Sequence, residues 1–542
     1  MELSVWQCLI IATLGYLSSI YSPWLALGGW YTLGRPLVAG LAVGIVLGDV
    51  TTGILLGCAV QTLFIGLVTP GGSMPADVNF AAWIGIPLAM VASADASYAL
   101  ALSVPLSFLG VVAVLITVTV NSVFVHRQDK HIEQGKLEKA IRIPVVGQST
   151  NFIVRFVPIF LCTYFGSQFV PQFADSIPIE IAGILAAFGQ ILPLIGFAIL
   201  LKYICKRPIE LVYYLIGFVL SAALDLPILP ILVFASFFAF IDYRYGAKTE
   251  IPPDSAAIPE EDGTKDTDRL LSKKDVFRCY RSWLVWNLSV QNMERMEGPA
   301  IIRMLGMVRE KLYPGNREKQ KELLARHEPF FNTEPYVGCI VPGIVLGMEE
   351  ENARNVQSVP DEVLTGVKTA LMGPVAGIGD SLYVGTLIPV LLAIAIGISS
   401  NTGSMIGPVF YIIAHLGISI PLTWFLFYRG YSMGLNAASS ILESGIKDRF
   451  THAMSIIGLT IVGAITAEYV EIKTGWEMMQ GDELMLDFNA AINGIFPNVI
   501  TLLLGLTTFW LMSKKNVKLG YMFLIYFVFS ILALLTGLIS VQ

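Results

Sequence analysis

The sequence predicts an all-α polytopic membrane protein built from two halves with broken or re-entrant helices. Of its 542 residues, 55% are hydrophobic and 14% are charged, whereas soluble domains carry about 25% charged residues. The mean hydropathy is +0.68. Two long apolar blocks flank one charged interval. We therefore expect a membrane domain over residues 1–245, a charged linker over 246–275, and a second domain over 276–542 whose membrane part covers 335–541.

Both apolar blocks contain stretches close to the roughly 20 apolar residues that a spanning helix needs. Several of these stretches contain internal Gly or Pro, which interrupt the hydrogen-bond ladder of a helix. We therefore expect some helices to be broken. The candidate spans are 3–20, 36–56, 83–101, 104–125, 152–172, 181–201, 209–241, 366–398, 406–428, 452–470, 492–512 and 519–540.

Charge and cysteine usage argue against several classes of function. The formal net charge of −6 is modest, so a nucleic-acid partner is not expected. The six cysteines are scattered and form no CxxC pair, which argues against a thiolate metal site. The chain also contains no Walker loop and no HExxH motif.

The charged interval divides into two parts. Residues 246–275 are rich in Pro, Asp, Glu and Lys, which is typical of a solvated linker. Residues 276–330 mix aromatic, Met and basic residues at helical spacing, which predicts amphipathic helices against the membrane domain. Because cytoplasmic loops carry an excess of Lys and Arg, His126–Arg142 and 244–330 are predicted to be cytoplasmic. Trp476–Gly494 contains neither residue and is predicted to be external.

The first polar motif is a Gly-rich apolar run over Gly34–Gly66. It contains Arg35, Asp49 and Gln61, and its glycines recur at four-residue spacing, which favours close helix packing. Two interpretations of Asp49 remain open. It binds a polar ligand, or it caps a helix end or pairs with Arg35.

The second polar motif is TPGGSMPADVNFAAWIG at 69–85. Its Pro and Gly residues forbid a continuous helix, and Asp77 and Asn79 follow them. Unwound backbone beside helix ends is where transporters hold solutes. We therefore expect Asp77 and Asn79 to contact a polar ligand, although a surface loop is the simpler alternative.

The third polar motif precedes a short apolar run that ends at Met348. The run is too short to span a membrane and indicates a re-entrant or interfacial segment. His327, Asn332 and Thr333 lie before it and are candidates for ligand contact, or for a turn or helix cap in the case of Asn332 and Thr333. The three acids that follow, Glu349 to Glu351, are interpreted as a solvated face.

The fourth polar motif is LMGPVAGIGDS at Leu371–Ser381. A carboxylate at membrane depth is costly and usually marks a pathway or a binding site. The Gly and Pro residues predict broken backbone around it. The residues concerned are Gly373, Pro374, Gly377, Gly379 and Asp380.

These motifs in series resemble two membrane components of the mannose family of the phosphotransferase system. The first block resembles the IIC component through GRPLVAGLAVGIVLGDVTTGILLG and the following GG…PADV stretch. The second block resembles the IID component through RSWLVWNLSVQNMERM, MEEENA, GVKTALMGPVAGIGDS and GYSMGL, in that order. The chain departs from the family because the two components are fused, because Gln61 stands where Glu is frequent, and because Ala76 separates Pro75 from Asp77.

The resemblance implies a sugar permease of the bacterial cytoplasmic membrane that works by group translocation. A sugar would cross within the IIC–IID unit and be phosphorylated by phospho-IIB, with IIA and IIB as separate proteins. It also implies a homotrimer in membrane lipid, inverted halves, an elevator-type movement, and no cofactor, metal or nucleic acid. Asp380 and Asp49 would occupy corresponding places in the two halves.

The resemblance also assigns roles to the polar motifs. Asp77 would accept a proton from the sugar hydroxyl during phosphoryl transfer. The expected sugar contacts are Asp49, Gln61, Asp77, Asn79, His327, Asn332 and Thr333. The expected structural or gating residues are Arg35, Gly373, Pro374, Gly377, Gly379 and Asp380.

Two other functions use the same features. An ion-coupled secondary transporter would employ membrane acids such as Asp49 and Asp380 as coupling sites. A membrane receptor would need no transport at all. The sequence does not select among hexoses, amino sugars and related sugars.

Overall fold

The computed structural model describes most of the chain. The described residues are 3–67, 74, 76–93, 96–176, 184, 187–188, 191–205, 207–245, 269–292, 294–354, 361–434, 446–470, 472–480 and 483–539. The Gly- and Pro-rich stretch 68–73, Pro75 and the linker stretch 246–268 lie outside these residues.

The first half is helical. Its α-helices are Val5–Leu17, Pro36–Leu47, Val50–Leu63, Val78–Phe80, Ile86–Val91, Ala96–Glu133, Leu137–Val146, Gln148–Ser176, Pro193–Ile204, Leu211–Ala222 and Ile228–Tyr245. Short 3₁₀-helices cover Ala26–Gly28 and Pro208–Glu210, and π-helices cover Gly29–Leu33 and Ala81–Gly85.

The predicted span 36–56 is wrong, because the structure has a tight helical hairpin there. Gly48 ends the first helix with φ +85°, a left-handed conformation that suits glycine. A Cβ on Gly40 would meet the carbonyl oxygen of Gly53 across the hairpin. The Gly spacing therefore serves close packing of the two short helices, as the sequence predicted.

The predicted spans 83–101 and 104–125 are also wrong in their bounds. Ala96–Glu133 is one helix of 38 residues that contains Pro105. The residues before it form a short broken element, in which the π-helix Ala81–Gly85 leads into Ile86–Val91. A proline inside a helix removes only one backbone hydrogen bond, and the long helix continues past it.

Four helices follow the linker stretch. They are Lys273–Trp286, Gly298–Gly306, Arg309–Leu312 and Arg317–Ala325. The first begins earlier than the predicted domain start at 276, because Ser272 and Asp275 form a capping box around its N-terminus. The division of the chain into domains stays a prediction.

The second half is also mainly helical. After the 3₁₀-helix Val337–Cys339, its α-helices are Ile340–Arg354, Asp361–Gly379, Ile388–Ser399, Ile406–Met433, Ile446–Tyr469, Phe488–Ile495, Val499–Ser513 and Leu519–Leu535. A π-helix covers Asp380–Leu387. One antiparallel β-hairpin, Glu477–Gln480 with Glu483–Asp487, lies in the segment predicted to be external.

The broken backbone predicted at Leu371–Ser381 takes a milder form than expected. Positions 373 and 374 fall inside the continuous helix Asp361–Gly379, and the irregularity begins at Asp380 as a π-helix. A π-helix widens the turn without ending the helix, and it is frequent at functional sites. The α-helix that follows opens on Ile388-Pro389, just as the first half's π-helix is followed by Ile86-Pro87.

Four helices in the described residues are long and apolar enough to cross a membrane, and up to six if each bent pair forms one span. The bent pairs are Ala26–Leu33 with Pro36–Leu47, at 92°, and Phe488–Ile495 with Val499–Ser513, at 75°. These pairs confirm the expectation of broken helices. The inverted-repeat relation and the elevator movement stay predictions.

The two halves pack tightly through glycine. Leu211–Ala222 of the first half lies against Ile446–Tyr469 of the second. A Cβ on Gly217 would clash with the carbonyl oxygen of Thr460, and a Cβ on Gly463 would clash with that of Tyr214. The reciprocal contact brings the two backbones together, so the halves form one continuous helical core.

Candidate functional site

Asp77 is the centre of a buried polar cluster in the first half. Its Oδ1 accepts hydrogen bonds from the backbone N–H groups of Asn79, at 2.9 Å, and Phe80, at 3.2 Å. Its Oδ2 lies 2.5 Å from Nη1 of Arg155, and both side chains are completely buried. Oδ1 is therefore hydrogen-bonded, whereas the ion pair alone engages Oδ2, which has no hydrogen bond of regular geometry among the described residues.

Arg155 is a site residue that the sequence reasoning missed. It lies on Gln148–Ser176, and its guanidinium stacks over the ring of Phe80 at 5.1 Å. Its Nε and Nη2 have no hydrogen-bond partner in the described part of the chain. The signal was available, because an arginine within the apolar run NFIVRFVPIF needs a partner or a ligand.

Asn79 and Gln61 retain free polar atoms. The Asn79 amide donates to the Gly15 carbonyl at 3.1 Å and to Ser18 Oγ at 3.0 Å, which leaves Oδ1 without a described partner. Both polar atoms of the fully buried Gln61 side chain lack a described partner as well. A buried polar group without a partner is costly, so such atoms indicate a place that a polar ligand can satisfy.

Asp49 does not lie with this group. It is exposed at the turn of the helical hairpin, and its Oδ1 accepts the Thr52 N–H at 3.0 Å as a helix cap. Gln61 lies at the other end of the same helix, about 18 Å away at about 1.5 Å per residue. Asp49 therefore acts as a helix cap in this structure, and contact between Asp49 and a sugar stays a prediction.

Arg35 lies in a buried aromatic cluster between the two halves. Its guanidinium stacks over Tyr31 at 4.9 Å and over Trp30 at 5.9 Å. The Tyr31 ring in turn contacts two rings of the second half, Tyr336 at 5.3 Å and Tyr383 at 6.0 Å. Arg35 thus joins the halves through cation–π and ring contacts, and not through Asp49.

A chain of hydrogen bonds extends this cluster. Tyr411 donates its hydroxyl to the Tyr31 carbonyl at 2.6 Å. His415 bridges the halves, with Nδ1 at 3.1 Å from Thr32 Oγ1 and Nε2 at 2.9 Å from the Tyr383 hydroxyl. His415 is therefore a buried histidine with both ring nitrogens within hydrogen-bond distance of a partner.

A water-sized cavity lies between the two halves. Its volume is about 20 Å³, room for roughly one water molecule. Its polar lining comes from both halves, with Tyr21 and Ser22 from the first and Asn287, Ser289 and Tyr336 from the second. The Asn79 amide donates to Ser18, Asn151 donates to the adjacent Ser19, and Gln148 donates to the carbonyls of Tyr21 and Ser289. Trp30 and Tyr336, which also line the cavity, contact Arg35 and Tyr31. We call this set of buried groups, from the Asp77 cluster to Arg35, the polar seam.

In the second half, Glu334 organises the start of the apolar helix that the third motif predicted. Its carboxylate accepts the N–H groups of Tyr336, at 3.2 Å, and Val337, at 2.6 Å. A Cβ on Gly379 would lie 2.5 Å from the Cβ of Glu334, so only glycine fits there. Gly379 therefore lets the fourth motif pack against the third, and Asp380 follows at this contact.

Thr333 and Asn332 lie in the same segment as Glu334. The Thr333 N–H donates to Oε2 of the buried Glu297 at 3.3 Å, while the Thr333 hydroxyl has no partner among the described residues. Asn332 is half-buried. Gly377 is exposed and has open space around it.

His327 belongs to a separate structural cluster. Its Nε2 lies 2.8 Å from Glu349 Oε1, and Arg326 Nη1 binds both oxygens of that carboxylate at 2.9 and 2.8 Å. Burial lowers the pKa of His327. Burial alone would raise the pKa of Glu349, but the hydrogen bonds from His327 and Arg326 lower it. The interpretation of Glu349 as a solvated face is wrong, because its charge is buried and paired.

These features define a polytopic membrane protein whose two helical halves meet along a buried polar seam. Residues 5–241 match the family described as PTS system sorbose-specific iic component. Residues 270–539 match the family described as PTS system mannose/fructose/sorbose family IID component.

The individual proteins that are similar to this chain include both IID and IIC components. The mannose-specific EIID component of Escherichia coli (strain K12) is 30% identical, over 41% of this chain and 80% of that protein. The fructose permease IIC component of Bacillus subtilis (strain 168) is 27% identical, over 35% of this chain and 71% of that protein. A solved structure of the mannose transporter ManYZ with microcin E492 is 26% identical, over 50% of this chain and 100% of that one, with a TM-score of 0.30.

The chain belongs to the mannose/fructose/sorbose family of the phosphotransferase system, with its IIC and IID components fused. It is a sugar-transport component of the bacterial cytoplasmic membrane.

Proposed function

We propose that this chain imports a sugar along the polar seam between its halves and presents it to a separate phospho-IIB protein at the cytoplasmic face. The single observation that carries the proposal is the set of buried polar atoms on Gln61, Asn79 and Arg155 that have no hydrogen-bond partner among the described residues. A sugar carries many hydroxyl groups, and each needs a hydrogen-bond partner when it leaves water. Amide and guanidinium groups supply both the acceptors and the donors.

Asp77 takes a different role from the proton acceptor that the sequence suggested. A general base needs a free oxygen that faces the substrate hydroxyl. Both Asp77 oxygens are engaged, by two backbone N–H groups and by Arg155. The geometry argues against proton acceptance, and we propose instead that Asp77 holds the segment carrying Asn79 in place.

We further propose that the sugar is a neutral hexose. Arg155 neutralises the charge of Asp77, and Gln61 contributes an uncharged amide. An ammonium group of an amino sugar would meet the free N–H donors of Arg155, which is unfavourable. In competition experiments, glucose or mannose should therefore displace a labelled substrate better than glucosamine.

The remaining parts of the proposal concern partners and movement. We propose homotrimers embedded in lipid, served by separate IIA and IIB proteins, with one half or part of it moving as an elevator. The family resemblance supports these points, and the small volume of the seam cavity supports the need for movement, because about 20 Å³ cannot hold a sugar.

The experiment compares sugar phosphorylation by membrane vesicles supplied with phospho-IIB. We expect Asn79→Ala and Gln61→Ala to raise the KM by about tenfold or more, because one lost hydrogen bond to a substrate contributes about 1 to 3 kcal/mol. Asp487→Asn is the matched control, since Asp487 caps a helix outside the candidate site and an asparagine keeps that cap. Unchanged KM values in both alanine variants would refute the site.

An ion-coupled transporter remains the rival function. Uptake that survives removal of phospho-IIB but collapses with the proton gradient would support it. Uptake that stops without phospho-IIB and continues with a protonophore would support group translocation.

A further inference from the structure

A cavity with a basic rim lies where the second half begins, away from the polar seam. Its volume is about 400 Å³, within the range of small-molecule sites. The lining includes Arg269, Ser272, Lys273, Val276, Tyr428 and Tyr431. We propose that this cavity binds the headgroup of an anionic phospholipid from the cytoplasmic leaflet.

The charge of the rim is positive. In the described part of the chain, Arg269 and Lys273 form no ion pair with a carboxylate within 4.0 Å. The Arg269 guanidinium stacks over the Tyr431 ring at 4.8 Å, which holds it at the cavity wall. Lys273 is exposed at the first turn of its helix. Arginine and lysine together are a common combination for binding phosphate esters.

The two acidic side chains near the cavity, Glu350 and Asp275, already have hydrogen-bond or ion-pair partners. Glu350 lies behind Tyr431 and is buried, and its oxygens accept the Leu271 N–H at 2.7 Å and the Tyr431 hydroxyl at 2.5 Å. Asp275 is paired with Lys311 at 2.6 Å. Glu350 attracts Arg269 electrostatically, but neither Glu350 nor Asp275 forms an ion pair within 4.0 Å with Arg269 or Lys273 among the described residues, so both cations can bind an external anion.

The surroundings of the cavity identify a lipid as the source of the anion. Leu270 and Phe277 are 42% and 49% exposed beside it, although both are apolar. The Phe277 ring packs on Trp424 at 5.3 Å, and Phe425 is 61% exposed on the same candidate membrane span. Aromatic side chains concentrate at the headgroup level of a bilayer. The phosphate of a phospholipid can bind the two cations while its acyl chains cover the exposed apolar side chains. A soluble phosphate can bind only the cations.

The position gives the site a role. Arg269 lies in the last part of the predicted linker, just before the helix Lys273–Trp286 that opens the second half. A lipid bound there fixes the start of the second half to the membrane surface. The site is independent of sugar transport, so it stands whether or not the proposed sugar contacts hold.

Native mass spectrometry of the full chain in mild detergent tests the proposal, with phosphatidylglycerol and phosphatidylcholine as probes. We expect retention of phosphatidylglycerol over phosphatidylcholine, and a loss of about fivefold in affinity for Arg269→Gln or Lys273→Gln, since each basic residue contributes about 1 kcal/mol near anionic lipid. The double variant should bind both lipids equally.

The matched control is Lys514→Gln with Lys515→Gln, which removes two basic residues at another helix end and should leave the preference unchanged. Lys273→Gln changes an exposed side chain, so it keeps the test valid even if loss of the Arg269 stacking destabilises the protein. An undiminished preference in the double variant would overturn the proposal. Displacement of the lipid by inorganic phosphate or glycerol phosphate at equal concentration would overturn it too, because the site would then serve a soluble anion.

Discussion

At the scale of single residues, Arg155 is what allows a carboxylate to be buried at Asp77. An isolated charge in a membrane protein interior is strongly unfavourable, and an ion pair with backbone hydrogen bonds offsets that cost. Asp77 meets these conditions through two N–H groups and one guanidinium. The pair thereby fixes the backbone on which Asn79 presents its free oxygen.

Replacement of Arg155 should therefore lower the stability of the protein strongly, and the size of this loss should depend on whether Asp77 is present. We expect Arg155→Leu to destabilise the protein by about 3 to 5 kcal/mol, since it leaves one buried charge unpaired. The double variant Arg155→Leu with Asp77→Asn should recover part of that loss. Thermal unfolding in detergent measures both effects, and a double variant no more stable than the single one would contradict the pairing.

The His327–Glu349–Arg326 cluster predicts a stability that depends on pH. Because burial lowers the pKa of His327, the unfolded chain takes up a proton at a higher pH than the folded one, and stability falls as pH drops below about 6.5. The pKa of Glu349 is also lowered, so the folded protein holds this carboxylate ionised more strongly than the unfolded chain does. The stability that Glu349 contributes is therefore present above the usual pKa of a glutamate and is lost as the pH falls below it.

Unfolding midpoints at pH 8 and pH 5.5 test this prediction. We expect His327→Gln to reduce the difference between the two midpoints, because glutamine has no proton to gain. His126→Gln changes a histidine whose side chain is 63% exposed and should keep the wild-type difference. An equal difference in all three proteins would show that His327 titrates normally.

At the scale of elements, glycine decides how closely the helices approach. Gly217 and Gly463 bring the last part of the first half against Ile446–Tyr469. Gly379 does the same for the fourth motif against Glu334. These glycines act through contact with another backbone or a buried side chain, rather than through unusual dihedral angles.

Substitutions of two helical glycines should therefore differ sharply. We expect Gly217→Leu to prevent packing of the halves and to abolish folded protein, because its side chain would overlap the Thr460 carbonyl. Gly417→Ala, in the helix Ile406–Met433 with open space around it, should be neutral or stabilising by up to about 1 kcal/mol. Size-exclusion chromatography of the purified variants distinguishes the two, and normal elution of Gly217→Leu would be the contrary result.

Much of the element order followed from the sequence, and the exceptions have physical causes. Hydrophobic length predicts that a stretch is buried in the membrane but not whether it crosses, so the hairpin at Gly48 was taken for a single span. The fourth motif was expected to break because it contains Pro374 and three glycines. The structure instead continues the helix and relaxes it into a π-helix at Asp380, since neighbouring helices support the backbone there.

The candidate site was less predictable than the fold. The sequence identified Gln61, Asp77 and Asn79 as polar residues in apolar surroundings, but their geometry depends on partners far along the chain. The sequence marks Arg155 as an arginine in an apolar run, but its partner Asp77, and the contact of Tyr31 with Tyr336, became visible only in the tertiary structure. Pattern alone cannot tell a helix cap such as Asp49 from a ligand contact.

At the scale of the whole molecule, the fused chain joins a IIC half and a IID half through shared buried elements. The aromatic cluster around Arg35, the His415 bridge and the Gly217–Thr460 contact all cross from one half to the other. Neither half presents a complete seam by itself. Sugar transport as proposed therefore requires both halves together with a separate phosphoryl donor.

The most direct test measures sugar accumulation in vesicles that contain the full chain and enclose phospho-IIB, with labelled mannose or glucose outside. The account predicts that the label accumulates inside only as sugar phosphate, and that no accumulation occurs when the enclosed IIB is unphosphorylated. Accumulation of free sugar that is driven by a proton gradient and does not require phospho-IIB would contradict the account.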